Sequence, residues 1–190
     1  MKKHLIIHPE DNSTDFLTAI YQNIPASCRT VVRDHSLPAR AVNELIEAHD
    51  RIIMLGHGMP EGLLSFTFPP LVISEEHAPA LRAKRESIFI WCHADEFVQR
   101  HGLGGFFSGM FISETYEAGY HGISVSKTAV EKSNALFASL VGQWLHVPQA
   151  TMLAKVKMDY QGDCPVLQFN RARLGVLAQS QVAESEGVLA

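Results

Sequence analysis

The sequence predicts an α/β fold of three layers, in which a mostly parallel β-sheet lies between helices. Three observations predict it. Short apolar runs alternate with helix-spaced stretches along the first hundred residues. Two of those runs, Ile52-Ile53-Met54-Leu55 and Ile88-Phe89-Ile90-Trp91, lack any polar alternation, which marks strands covered on both faces. Finally, 190 residues at 46% hydrophobic and 19% charged suffice for a sizeable core.

Residues 3–8 (KHLIIH) open the chain as a first strand. Behind it, Phe16, Ile20 and Ile24 recur every four residues after Ser13, a capping candidate, and predict a helix. Residues 29–33 (RTVVR) form a second strand, and Pro38 opens a helix with Ala41, Val42, Leu45 and Ile46 on one face. The third strand, residues 51–55, stops at Gly56-His57-Gly58. Residues 62–68 read as a strand or hairpin arm broken by Pro69-Pro70, residues 71–73 as a short extended run and residues 77–85 as a helix. The fourth main strand is 87–91, followed by a short helix at 95–101 and a fifth strand within 106–112. Val130, Phe137 and Val141, with Leu136, Leu140 and Trp144, predict a long helix. Beyond Pro148 the pattern weakens to a helix at 150–158, a Gln-Gly-Asp-Cys-Pro turn and a frayed end after Gln179. The expectation is one domain over residues 1–190, with residues after about 148 as a peripheral extension, and a flavodoxin-like strand order 2-1-3-4-5.

Composition narrows the function. A net charge of −4 gives no phosphate-binding surface, so nucleic acid is not an expected partner. No apolar run approaches the roughly 20 residues of a membrane span, and the run after Lys2-Lys3 is too short for a signal peptide. Three widely spaced cysteines, Cys28, Cys92 and Cys164, argue against a disulfide framework and for a reducing, cytoplasmic setting. His57, Cys92, His93 and His121 include borderline-soft zinc ligands, but without a CxxC or HExxH spacing no metal site is expected. The glycines from 102 to 109 match no nucleotide-binding pattern, so no cofactor is implied.

The chemistry gathers at two strand ends. His57 lies just past the carboxyl end of the third strand and Cys92 just past that of the fourth. If those strands are parallel neighbours, imidazole and thiol emerge at one edge of the sheet, where ligands bind in open α/β folds. A neighbouring imidazole lowers a thiol's pKa and moves its proton, which is what a cysteine nucleophile needs. The amides of Gly58 and Cys92 are candidates for an oxyanion hole. His93 and Asp95 are candidates to support the site or touch substrate, although His93 faces away from Cys92 in an extended chain. Glu114 and Glu117 follow the fifth strand; they either orient His57 or contact a basic substrate group, or form the solvated first turn of a helix capped by Ser113.

Leu55-Gly56-His57-Gly58 and Ile90-Trp91-Cys92-His93-Ala94-Asp95 resemble the two strand-end motifs of the clan CD cysteine peptidases, which include caspases, metacaspases, gingipains, legumain and separase. The resemblance implies a caspase-like fold, with Cys92 as nucleophile, His57 as proton donor to the leaving group and the Gly58 and Cys92 amides on the oxyanion. It implies a peptide or small amide as substrate. Ile90 stands where metacaspases carry an acidic residue that helps select basic substrates, so that preference is not carried over. Phe89-Ile90-Trp91-Cys92-His93-Ala94 is also similar to the nucleophile elbow of PfpI-type members of the class I glutamine-amidotransferase-like superfamily. That resemblance leaves Gly56-His57-Gly58 without a role, and an elbow favours smaller neighbours than Trp91. A third expectation is a caspase-like domain that binds a partner without catalysis.

Overall fold

The structure is a computed structural model that describes residues 2–34, 36–65 and 70–178. Its nine strands among the described residues are β1 (His4–Ile7), β2 (Arg29–Val32), β3 (Arg51–Leu55), β4 (Gly58–Met59), β5 (Gly62–Leu64), β6 (Leu71–Ile73), β7 (Ser87–Ile90), β8 (Gly105–Ser108) and β9 (Leu174–Leu177). The helices are α1 (Ala39–Ala48), α2 (Ala78–Arg82), α3 (Ala94–Arg100), α4 (Thr115–Tyr120), α5 (Lys127–Gln143), α6 (Gln149–Asp159) and α7 (Pro165–Ala172). Six strands form the central sheet in the order β2-β1-β3-β7-β8-β9. The first five run parallel, and β9 closes the edge antiparallel to β8.

Period-2 alternation sends successive side chains of each strand to opposite faces and builds two cores. On one face Leu5, Ile7, Ile52, Met54 and Phe89 meet Val42 and Ile46 of α1 and Phe97 and Val98 of α3. On the other, Ile6, Ile53, Leu55, Ile88 and Ile90 meet Phe137 and Val141 of α5 and Met152 and Val156 of α6. Burying each such side chain contributes about 1.5–3 kcal/mol, which is why the unbroken apolar runs sit at the centre of the sheet.

Several elements differ from the sequence reading. The helix expected behind β1 is a short 3-10 helix, Asp15–Ile20, and its N-cap is Thr14 rather than Ser13. The Ser13 hydroxyl donates instead to Asp11 Oδ1 at 2.6 Å. The helix expected at 77–85 is shorter, because Ser74 and His77 cap a 3-10 turn, Glu75–His77, that precedes α2. The fifth strand ends at Ser108, whose hydroxyl donates to Trp91 O at 3.0 Å, and Gly109 N then turns to Arg173 O at 2.8 Å. Of the strand expected at 62–68, β5 accounts for the start, while residues 66–69 lie outside the described residues, as does the end expected to fray after Gln179.

The segment beyond residue 148, expected at the periphery, supplies core and sheet. Met152, Val156 and Tyr160 are fully buried in the same cluster as the central strands. Asn170 of α7 is equally buried and clamps one backbone unit, donating to Ile112 O at 2.9 Å and accepting from Ile112 N at 2.8 Å. That clamp fixes the turn after β8, which forms one wall of the site.

Candidate active site

Parallel pairing aligns Leu55 of β3 with Ile90 of β7. His57 and Cys92 therefore each stand two residues past a paired position, at equivalent places on adjacent strands. Neighbouring strands lie roughly 4.8 Å apart, so the register brings the two chain segments to the same stretch of the sheet edge. Both line an open cleft of about 470 Å³ at the carboxyl edge of the sheet, together with Asp11, Ser13, Gly58, His93, Met110, Glu114 and Glu117.

Local chemistry explains the Gly-His-Gly run. Gly56 still donates to Ile90 O at 3.0 Å, but its φ of +145° suits only glycine and turns the chain off the sheet. Gly58 lies beneath the Trp91 indole: a Cβ there would fall 2.0 Å from Trp91 Cδ1. Trp91, 1% exposed, also donates from Nε1 to Met59 O at 3.2 Å, so the residue before the cysteine locks the β4–β5 hairpin onto β7. In that hairpin His57 O accepts from Leu64 N at 2.8 Å. Alternation of paired and unpaired positions then directs the Gly58 N–H away from β5.

The thiol and the imidazole have different partners. Cys92 Sγ donates to Phe111 O at 3.4 Å. Burial pushes the thiol up to about 11, the Phe111 contact lowers it and the charge of Glu117 raises it further. The expectation of an imidazole-lowered thiol is therefore not met in the free protein. His57 Nε2 lies 2.7 Å from Ser13 Oγ and 3.8 Å from Asp11 Oδ2. Ser13 has one hydroxyl proton, and a carboxylate at 2.6 Å takes it. The hydroxyl then accepts from His57 Nε2–H.

The remaining expected residues divide. His93 lines the cleft, holds the left-handed conformation at φ 67°, and places Nδ1 2.9 Å from Glu96 Oε1. This left-handed residue lies in the short turn between β7 and α3 that also carries Cys92. Asp95 is not among the residues lining the cleft; its carboxylate packs against Gly109. Glu117 is 7% exposed and its Oε2 accepts from Ser113 N, Ser113 Oγ and Glu114 N at 2.7, 3.1 and 2.9 Å. It caps α4, and the N-cap residue is Glu114 rather than Ser113. Glu114 lines the cleft and an adjoining hollow of about 770 Å³ that extends past Tyr116 to Asn134.

Two residues of the cleft were not singled out in the sequence for chemistry. Asp11 and Ser13 follow β1, so the ends of β1, β3 and β7 supply carboxylate and hydroxyl, imidazole, and thiol in spatial order. The signal was the polar Asp-Asn-Ser-Thr run directly after a parallel strand. Among the described residues no cluster of three or more His, Cys, Asp or Glu side chains is placed to hold a metal ion. Compared with known proteins, the chain matches no family model and no curated protein.

Proposed function

We propose that the protein is a cysteine hydrolase acting on peptide or small amide bonds, with Cys92 as nucleophile and His57 as proton carrier. One observation carries the reading: the two groups occupy equivalent positions past adjacent parallel strands and line one open cleft. The likeness of the two strand ends to clan CD peptidases supports it.

The raised thiol pKa determines how the chemistry runs. At neutral pH Cys92 rests as a thiol, so its proton leaves during attack rather than before it. Rotation about Cα–Cβ releases Sγ from Phe111 O, and the His57 imidazole takes the proton as sulfur bonds to the carbonyl carbon. The Gly58 and Cys92 amides hold the oxyanion. His57 then gives the proton to the amine nitrogen as the C–N bond breaks, leaving a thioester. A water, deprotonated by His57, attacks that thioester; the acid departs and the thiol is restored.

A second reading rests on the 2.6 Å contact from Ser13 Oγ to Asp11 Oδ1, in which Ser13 is the nucleophile and Asp11 takes its proton. Cleavage of a defined peptide library, read by mass spectrometry, separates the two. Cys92→Ala is expected to lower turnover by more than about a thousandfold, as removal of a covalent nucleophile does. Ser13→Ala is expected to retain measurable turnover; the opposite pattern assigns the nucleophile to Ser13. Alkylation of Cys92 by iodoacetamide should keep rising toward pH of about 11 in the free protein. Wild-type protein that cleaves nothing in the library overturns the hydrolase reading in favour of a binding module.

A further inference from the structure

The two amides proposed for the oxyanion stand on different sheets. Cys92 follows β7 of the central sheet, whereas Gly58 opens β4 of the small β4-β5-β6 sheet, and the two sheets share no ladder among the described residues. The chain joining them passes through Gly56, whose φ of +145° gives it a freedom that other residues lack. An oxyanion hole works when its donors are already in place, because they then cost no reorganisation as charge develops. A contact other than that linker must therefore set the separation of the two amides.

Trp91 is placed to set it. Two of the three atoms nearest to where a Cβ on Gly58 would fall belong to its indole, Cδ1 at 2.0 Å and Cγ at 2.4 Å; the third, Gly62 O, lies within the hairpin itself. Its Nε1 donates to the carbonyl of the next residue, Met59, at 3.2 Å. The ring is 1% exposed and meets Phe89 and Phe97 edge-on, at centroid separations of 5.8 and 5.6 Å. Its carbonyl accepts from Ser108 Oγ at 3.0 Å and from Ala94 N at 3.2 Å, which ties the residue before Cys92 to β8 and α3. We infer that Trp91 is a positioning residue, whose indole spaces the Gly58 N–H against the Cys92 N–H in the oxyanion hole. This role rests on the hydrolase reading of Cys92 and His57.

Trp91→Phe tests it, since the variant keeps an aromatic ring and removes the donor to Met59 O. With the peptide that the wild type cleaves fastest, kcat should fall about tenfold or more and KM should change less than about threefold, as expected for donors shifted by a fraction of an ångström. Inhibition by the aldehyde of that peptide's acyl portion, whose thiol adduct places its oxygen in the hole, should weaken in step with kcat. Alkylation of Cys92 by iodoacetamide displaces iodide at a methylene carbon and builds no oxyanion, so its rate should stay within about twofold of the wild type. Should Trp91→Phe fold poorly, Gly58→Ala keeps the amide but drives a carbon into the indole, and should give the same pattern. The role is overturned if kcat is unchanged, if KM alone rises, or if alkylation slows as far as turnover does. Wild-type protein that cleaves no peptide overturns the hydrolase reading and this role together; equal cleavage by wild type and Trp91→Phe overturns the role alone.

Discussion

The two edges of the central sheet differ in how their polar groups are paired. At the carboxyl edge, the groups lining the cleft satisfy one another: Asp11 holds Ser13, Ser13 meets His57, Cys92 donates to Phe111 O and Glu117 collects three donors. At the amino edge, one nitrogen of Arg51 and one of half-buried His4 are buried without a hydrogen-bond partner among the described residues. An internally paired network holds geometry fixed, as a site that positions reacting groups requires. A buried nitrogen without a partner instead costs stability. One sheet thus has a preorganised edge and an unsatisfied one.

The sharpest way to test the paired edge is acid. His8, fully buried at the end of β1, lies 3.1 Å through Nδ1 from Tyr21 Oη and 3.3 Å through Nε2 from Thr14 Oγ1. Burial lowers its pKa from 6.5 to about 4, with Arg33 adding to the effect. The unfolded chain therefore takes up this proton first on acidification. Stability present above pH 6.5 is lost as pH falls toward 4, by roughly 3 kcal/mol from this group. Urea unfolding across that window should show the loss, and His8→Gln should flatten its slope. An unchanged slope would remove His8 from the account.

Next in size is Asn170→Leu, which leaves a buried backbone N–H and C=O of Ile112 unpaired. A loss of about 2–3 kcal/mol is expected in urea unfolding, with faster amide exchange at Ile112. Ser13→Ala should lower kcat about tenfold with KM little changed, because it frees the imidazole orientation without removing a reacting atom. An equal fall in binding alone would make Ser13 a substrate contact instead. The smallest effect belongs to the amino edge. Arg51→Met trades two hydrogen bonds to carbonyls against relief of a desolvated charge, and should shift stability by no more than about 1 kcal/mol. A loss of several kcal/mol would mean that Arg51 is there to hold the fold.

Much of the frame was legible because β1, β3 and β7 are short, each an unbroken apolar run behind one polar residue, and spaced by helix-periodic segments. The placement of His57 and Cys92 followed from strand ends alone. What escaped was set by contacts too local or too distant for periodicity. β4 is two residues long, held by Trp91 against Gly58. β9 is a four-residue edge strand whose Leu-Gly-Val-Leu pattern signals little without β8 beside it. Cys164-Pro165 read as a turn, although Pro at the first helical position opens α7. Ser13 read as a cap because the sequence cannot show that His57, far along the chain, would arrive 2.7 Å away.

The sequence by itself determined which segments become buried parallel strands, since unbroken apolar runs have nowhere stable to go but a sheet covered on both sides. It also determined that an imidazole and a thiol leave the same edge. Only the tertiary structure decided their protonation and partners, because a pKa and a hydrogen bond depend on burial and on neighbours brought in from other strand ends. Burial among its neighbours made Cys92 a resting thiol, and closure of β3 against the chain around Leu145 left Arg51 charged and buried at the other end.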